Sequence, residues 1–179
     1  MPLTGRSHFV LVAATFVYVV ALFVVFARVT TASRRRVVAA LVGAVAAAAV
    51  NVALDTAAYD AGWWRYPEAT TPFGPLVYYL IAGVGCGVFA LIGWWLLHRF
   101  GWRGPLTFLG VFAIYGPIRD AIFAGTTGLI DFSYSPLVVV ADSLFEYIIP
   151  MLIALTTVLV LAPDERIRAT RSGPTKSVG

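Results

Sequence analysis

The chain has 179 residues, 60% of them apolar and only 12% charged, with a mean hydropathy of +0.85. Soluble domains carry roughly 25% charged residues, so this composition excludes an ordinary soluble domain, and with one cysteine it also excludes a disulfide-built secreted module. The formal charge of +4, from 13 Lys+Arg against 9 Asp+Glu, does not by itself indicate nucleic acid, because membrane proteins hold cations in their cytoplasmic loops.

A bilayer crossing needs about 20 apolar residues, and 60% of 179 is about 107, enough for about five spans. The first apolar run, 9–27, is longer than a signal-peptide core and is followed by Arg28, Arg34, Arg35 and Arg36, so it is expected to be a retained anchor. The second, 37–55, is dense in Ala and Gly and ends in Asn51, Asp55, Tyr59 and Asp60. Small residues let a neighbouring helix approach closely, which predicts a central position for it. Residues 62–72 read as a loop whose Trp63, Trp64 and Tyr66 suit an interfacial aromatic belt.

The third run, 75–97, carries Gly83 and Gly87 at GxxxG spacing, predicting close helix packing within the chain or between copies. The fourth, 105–124, contains Pro117, Arg119 and Asp120. The fifth, 137–162, contains Asp142, Glu146 and Pro150. The expected fold is therefore an all-α polytopic membrane protein, one five-helix transmembrane bundle over residues 1–162 with a disordered basic tail at 163–179. Arginines cluster at 28–36, 99–103 and 166–171, while 56–72 holds only Arg65 and 125–136 none. The positive-inside rule then puts the N-terminus outside and the C-terminus in the cytoplasm, with a bacterial inner membrane as the expected setting.

Charged groups inside a membrane cost about 2.5–3.5 kcal/mol each on insertion scales and mark functional sites. At about 1.5 Å rise per residue, Asn51, Arg119 and Asp142 all fall roughly 21 Å above the inner face, with Tyr115 and Glu146 roughly one turn lower. Tyr115 and Arg119 share a face of the fourth helix, as Asp142 and Glu146 do of the fifth. A two-rung ladder is expected, Arg119 opposite Asp142 and Tyr115 opposite Glu146, faced by Asn51 and Asp55. Pro117 and Pro150 each free the carbonyl four residues before them, Ala113 and Glu146, which predicts a small polar chamber in the outer half of the bilayer. One Arg cannot neutralise Asp55, Asp142 and Glu146 together, so at least one carboxyl is expected to be protonated or solvated, a state that suits a general acid. A purely structural reading, helices glued by polar pairs, competes with the catalytic one.

His8 and His98 lie at opposite membrane faces, which removes histidine-cluster metal chemistry, and Cys86 reads as packing. No metal or cofactor is expected. A weaker variant has the Asn51/Asp55 and Asp142/Glu146 faces hold Mg²⁺ and a diphosphate, somewhat like membrane prenyltransferases.

Two segments add a resemblance. Residues 55–67 (DTAAYDAGWWRYP) and 144–156 (LFEYIIPMLIALT) resemble stretches of the small bacterial and fungal lycopene-cyclase-type carotenoid proteins, in which an Asp precedes a Gly-x-Trp turn and an acid precedes a proline on a later helix. The chain departs from that family in lacking its Pro-x-Glu-Glu signature. The resemblance implies protonation of a polyene by a carboxylic acid and stabilisation of the resulting carbocation by aromatic faces or carboxylates. It implies Glu146 as proton donor, Asp142 and Arg119 as its environment, Asp55 as a second carboxylate and Tyr115 as the group orienting the donor. Asn51, Tyr59 and Tyr78 complete the expected substrate-binding set. The partners expected are membrane lipid, a hydrophobic small molecule and a second copy or partner subunit docking on Gly83 and Gly87. Two other functions compete: a small transporter or proton-relay subunit, and a non-catalytic assembly subunit.

Overall fold

In the structure, a computed structural model, residues 5–65, 76–127, 131–132 and 135–163 are described. Helix α1 (Gly5–Val29) turns through Thr31, at φ 49°, into α2 (Arg34–Asp60). The Ser33 side chain caps α2 by accepting from the Arg36 N–H, satisfying one of the helix's unpaired donors. A two-residue strand β1 (Trp64–Arg65) follows. Helix α3 (Leu76–Phe100) passes through Gly101, at φ 62°, into α4 (Arg103–Thr127); that left-handed conformation favours glycine. Strand β2 (Asp131–Phe132) then leads to α5 (Pro136–Leu161), opened by Ser135 as cap and Pro136 in its first turn.

The protein is an all-α membrane protein. Among the described residues, four helices are long and apolar enough to cross a bilayer: α1 over Val12–Val29, α2, α3 and α5. The expected fourth span falls on α4, which carries Arg119 and Asp120 along its length and is not among the four. Helix α2 runs five residues beyond the expected boundary, to Asp60, and α4 runs three beyond its own, to Thr127. The expected tail, from 164 onward, and residues 66–72 of the expected loop lie outside the described residues.

Helix α2 is the hub, packed on both α3 and α5. Its small residues make this possible. A Cβ on Gly83 would stand 2.6 Å from the Ala44 carbonyl oxygen, one on Gly87 3.2 Å from that of Ala40, and one on Gly43 2.9 Å from that of Ala154. The GxxxG face is thus packed by α2 of the same chain, the within-chain one of the two packings expected at Gly83 and Gly87. Helix α1 rests mainly on α3, with Phe23 as a buried side chain. The main apolar cluster joins α2, α3 and α5 around Ala40, Ala47, Leu91, Trp94 and Val158.

One end of the bundle is basic. Arg36 stacks 3.6 Å over the Trp94 ring, and the Arg35 Nε donates to the Leu161 carbonyl at 2.8 Å, closing the last turn of α5 with a cation. At the other end β1 and β2 pair antiparallel, Trp64 with Phe132 and Arg65 with Asp131, tying the two connections together.

Both prolines act as their chemistry requires. The Ala113 carbonyl, freed by Pro117, accepts the Ser143 hydroxyl of α5 at 2.7 Å, so the broken bond of one helix becomes a bond between two. Before Pro150 the helix widens into a π-turn over Ser143–Ile148, where the Ile149 N–H reaches back five residues to the Leu144 carbonyl. Such turns interrupt α-helices most often at functional sites.

The close approach of α2 and α3 gives a test. Replacing Gly83 by Val should destabilise the protein by about 1–3 kcal/mol or more through overpacking. Gly85→Ala, which has open space around it, should leave stability within about 0.5 kcal/mol. Thermal unfolding in detergent distinguishes the two, and equal losses would contradict the packing described.

Candidate functional site

The polar residues of α2, α4 and α5 gather at the end closed by the paired strands. Asp55 is 1% exposed. Its Oδ1 accepts the Trp64 indole N–H at 2.8 Å, and its Oδ2 accepts the Tyr79 hydroxyl at 2.8 Å. Two neutral donors therefore hold this carboxylate. Trp64 is itself 4% exposed and packs with Ala58, Val138 and Ala141. It is a capping group over the acid and not the interfacial belt residue that the loop composition predicts. Trp63 and Phe145 complete an aromatic cover, their ring centroids 5.8 Å apart.

Glu146 faces α2. The Asn51 side-chain amide donates to its Oε2 at 3.4 Å, and its carboxyl also lies within hydrogen-bonding reach of Asp55. Two carboxylates have no donor between them, so this contact needs a proton on one of the pair. Asp55 already has two donors, which assigns the proton to Glu146.

Tyr147, one residue on, faces α4 instead. Its hydroxyl donates to Asp120 Oδ2, while Arg119 donates to Asp120 Oδ1 through both Nε, at 2.9 Å, and Nη2. Arg119 also lies over the Tyr147 ring at 5.4 Å. Gly116, one turn before Asp120, makes room for that ring, since a Cβ there would overlap it. The π-turn places neighbouring residues of α5 toward two different helices, Glu146 to α2 and Tyr147 to α4.

The expected ladder does not form. Arg119 pairs with its own neighbour Asp120 and not with Asp142, because the Tyr147 hydroxyl and the guanidinium converge on the same carboxylate. Tyr115 is 54% exposed and touches Phe112, on a different face from Glu146. Tyr59 is half-buried, with Arg65 stacked 5.4 Å over its ring, outside the carboxyl cluster. Tyr78 is half-buried, and its neighbour Tyr79 is the one that binds Asp55. Asp142 is 2% exposed and sits within electrostatic range of Asp120, Arg119 and Asp55.

Asp55, Asp142, Glu146, Arg119 and Asn51 thus meet in one region, as expected, in a different pairing. Sequence reasoning passed over Asp120, Tyr147, Tyr79 and Trp64. Asp120 was hidden by its adjacency to Arg119, since neighbouring helical residues do not normally face each other. Among the described residues no group of three or more His, Cys, Asp and Glu side chains is arranged to hold a metal ion.

The chain matches no family model, no curated protein and no solved structure.

The donors to Asp55 can be tested separately from any activity. Tyr79→Phe and Trp64→Phe should each cost about 1–3 kcal/mol by leaving a buried carboxylate short of a donor. Tyr18→Phe, at a position 62% exposed on α1, should cost nothing measurable. Equal thermal unfolding midpoints for all three would contradict the hydrogen bonds.

Proposed function

We propose that the protein is a polytopic membrane enzyme that performs acid–base chemistry on a lipid-soluble, isoprenoid-like substrate. The observation that carries this reading is a charge imbalance. Four acids, Asp55, Asp120, Asp142 and Glu146, gather around one cation, Arg119. A low-dielectric interior does not hold three uncompensated negative charges, so protons must supply the difference.

The four acids divide the work. Asp120 is neutralised by Arg119. Asp55 remains an anion, held by Trp64 and Tyr79 so that it does not collapse onto a proton. Glu146 shares a proton with it and is the donor. Protonation of a substrate double bond by Glu146 would leave positive charge next to the Asp55 carboxylate. The rings of Trp63, Trp64 and Phe145 stand beside it, an arrangement that favours a cationic intermediate.

The resemblance of residues 55–67 and 144–156 to lycopene-cyclase-type proteins points the same way. Asp55 and Trp64 of the first segment and Glu146 of the second are the residues that meet. We also infer five crossings, with α4 as the least apolar, and the basic end in the cytoplasm. Arg34, Arg35, Arg36, Arg99 and Arg103 support this orientation.

Two features favour the enzyme over its competitors. The apolar cluster around Leu91, Trp94 and Val158 lies between the carboxyls and the basic end, which speaks against a through-membrane path. Asn51, Asp55 and Asp142 are each 1–2% exposed, whereas a subunit that joins a partner by polar contacts would present them on its surface. On α4 the Arg119 side chain beside Asp120 is 56% exposed.

The test is mass spectrometry of lipid extracts from cells expressing the wild type, Glu146→Gln or neither, at matched membrane levels. A prenyl lipid or pigment should change with the wild type and fall back on the order of 10²–10⁴-fold with Glu146→Gln. Identical extracts in a host that supplies isoprenoid substrates would overturn the enzyme reading.

A further inference from the structure

Helix α2 begins with three consecutive arginines, and the fold gives them different tasks. Arg36 turns onto the Trp94 ring, 3.6 Å from its centroid. Arg34 and Arg35 instead line a cleft of about 480 Å³ between the start of α2 and the end of α5, with Val38, Ala39 and Leu161 as its other walls. The Arg35 Nε bond to the Leu161 carbonyl, at 2.8 Å, fixes that guanidinium at the mouth of the cleft. Among the described residues neither Arg34 nor Arg35 forms an ion pair. A planar guanidinium offers five donors in a fork that matches phosphate oxygens, and one already held in place loses less freedom on binding them.

The cleft continues into apolar surface. Val38 also lines a second hollow, of about 470 Å³, that runs along α2 over Leu41, Val42, Val45, Ala46 and Ala49 with no polar side chain in its wall. This face lies away from Ala40, Gly43 and Ala44, through which α2 packs on α3 and α5. From Val38 to Ala49 the helix rises about 16 Å. That is close to half of a hydrocarbon core about 30 Å thick, the depth of a single leaflet.

We infer that the cleft and the hollow together form a binding site for one anionic phospholipid of the leaflet at the basic end. Its phosphate sits between the Arg34 and Arg35 guanidiniums, and one acyl chain lies along α2 from Val38 to Ala49. Charge selects the headgroup: two cations line the cleft, and no acid is among its lining residues to receive the ammonium of a zwitterionic lipid. Length selects the chain, since the hollow covers one leaflet, whereas a partner's transmembrane helix needs a surface across both. The bound lipid braces the ends of α2 and α5, which meet there through Arg35 and Leu161. The site stands apart from the carboxyl cluster and does not depend on the enzyme reading.

The test is native mass spectrometry of the purified full-length protein, stripped of lipid in detergent and titrated with phosphatidylglycerol, phosphatidylcholine or glycerol phosphate. The wild type should bind one phosphatidylglycerol at least about fivefold more tightly than phosphatidylcholine, and glycerol phosphate at least about tenfold more weakly than phosphatidylglycerol. Arg34→Gln should weaken phosphatidylglycerol about fivefold, and Arg34→Gln with Arg35→Gln at least about tenfold. Arg103→Gln removes a cation at the same end but outside the cleft, and should leave binding unchanged. Ala49→Phe, at an exposed position in the hollow, should weaken phosphatidylglycerol and leave glycerol phosphate unchanged. Equal binding of the two phospholipids, an equal loss in Arg103→Gln, or unchanged phosphatidylglycerol binding in Arg34→Gln or Ala49→Phe overturns the site. Glycerol phosphate bound as tightly as phosphatidylglycerol makes it a plain anion site and overturns the lipid. Phosphatidylglycerol bound only after Asp164→Asn with Glu165→Gln assigns the cleft to the chain's own acids and overturns it too. The Arg34 side chain is exposed and bonds to no described residue, so should the double arginine variant fail to fold, Arg34→Gln decides.

Discussion

Within an apolar bundle a carboxyl group survives only if it is given a cation, hydrogen-bond donors or a proton, and the architecture follows from meeting that demand four times. Asp120 receives Arg119 and the Tyr147 hydroxyl. Asp55 receives the Trp64 indole and the Tyr79 hydroxyl. Glu146 has only the Asn51 amide and its contact with Asp55, and one oxygen of Asp142 has no donor among the described residues. The first two are built as anions. The last two are left to carry protons, which is where chemistry can begin.

The same device recurs on both sides of the bundle. An Asp in the last turns of one helix accepts a tyrosine hydroxyl from the helix that follows the strand crossing: Asp55 with Tyr79, and Asp120 with Tyr147. The two crossings are joined to each other through the pairing of Trp64 with Phe132 and Arg65 with Asp131. This short ladder holds Trp64 over Asp55 and so couples the loops to the acid beneath them. Small residues elsewhere serve the same end. Gly116 admits the Tyr147 ring, and Gly43 and Gly83 draw α2 between α3 and α5, so that its Asp55 can meet groups from both.

Much of this was legible in the sequence, in proportion to how local the physics is. The apolar runs located the helices, because hydrocarbon thickness sets their length. The levels of Asn51, Asp55, Arg119, Asp142 and Glu146 followed from helical rise, and Pro117 announced the free Ala113 carbonyl that Ser143 takes. The pairings were not legible. Helical spacing puts Asp142 and Glu146 on one face, but the π-turn before Pro150 inserts an extra residue and sends Glu146 and Tyr147 to different helices. Tyr78 and Tyr79 have identical chemistry, and only the rotation of α3 decides which one reaches Asp55. Trp64 reads as a belt residue because nothing local shows that β2 will fold it inward.

The central claim is that Asp55 and Glu146 share one proton and are energetically a single unit. A double-mutant cycle of Asp55→Asn and Glu146→Gln on unfolding free energy, in a detergent where unfolding is reversible, measures it directly. The expected result is a coupling of about 1 kcal/mol or more, with the double variant differing from the sum of the singles. Effects that add within about 0.3–0.5 kcal/mol, as for residues that do not touch, would contradict it.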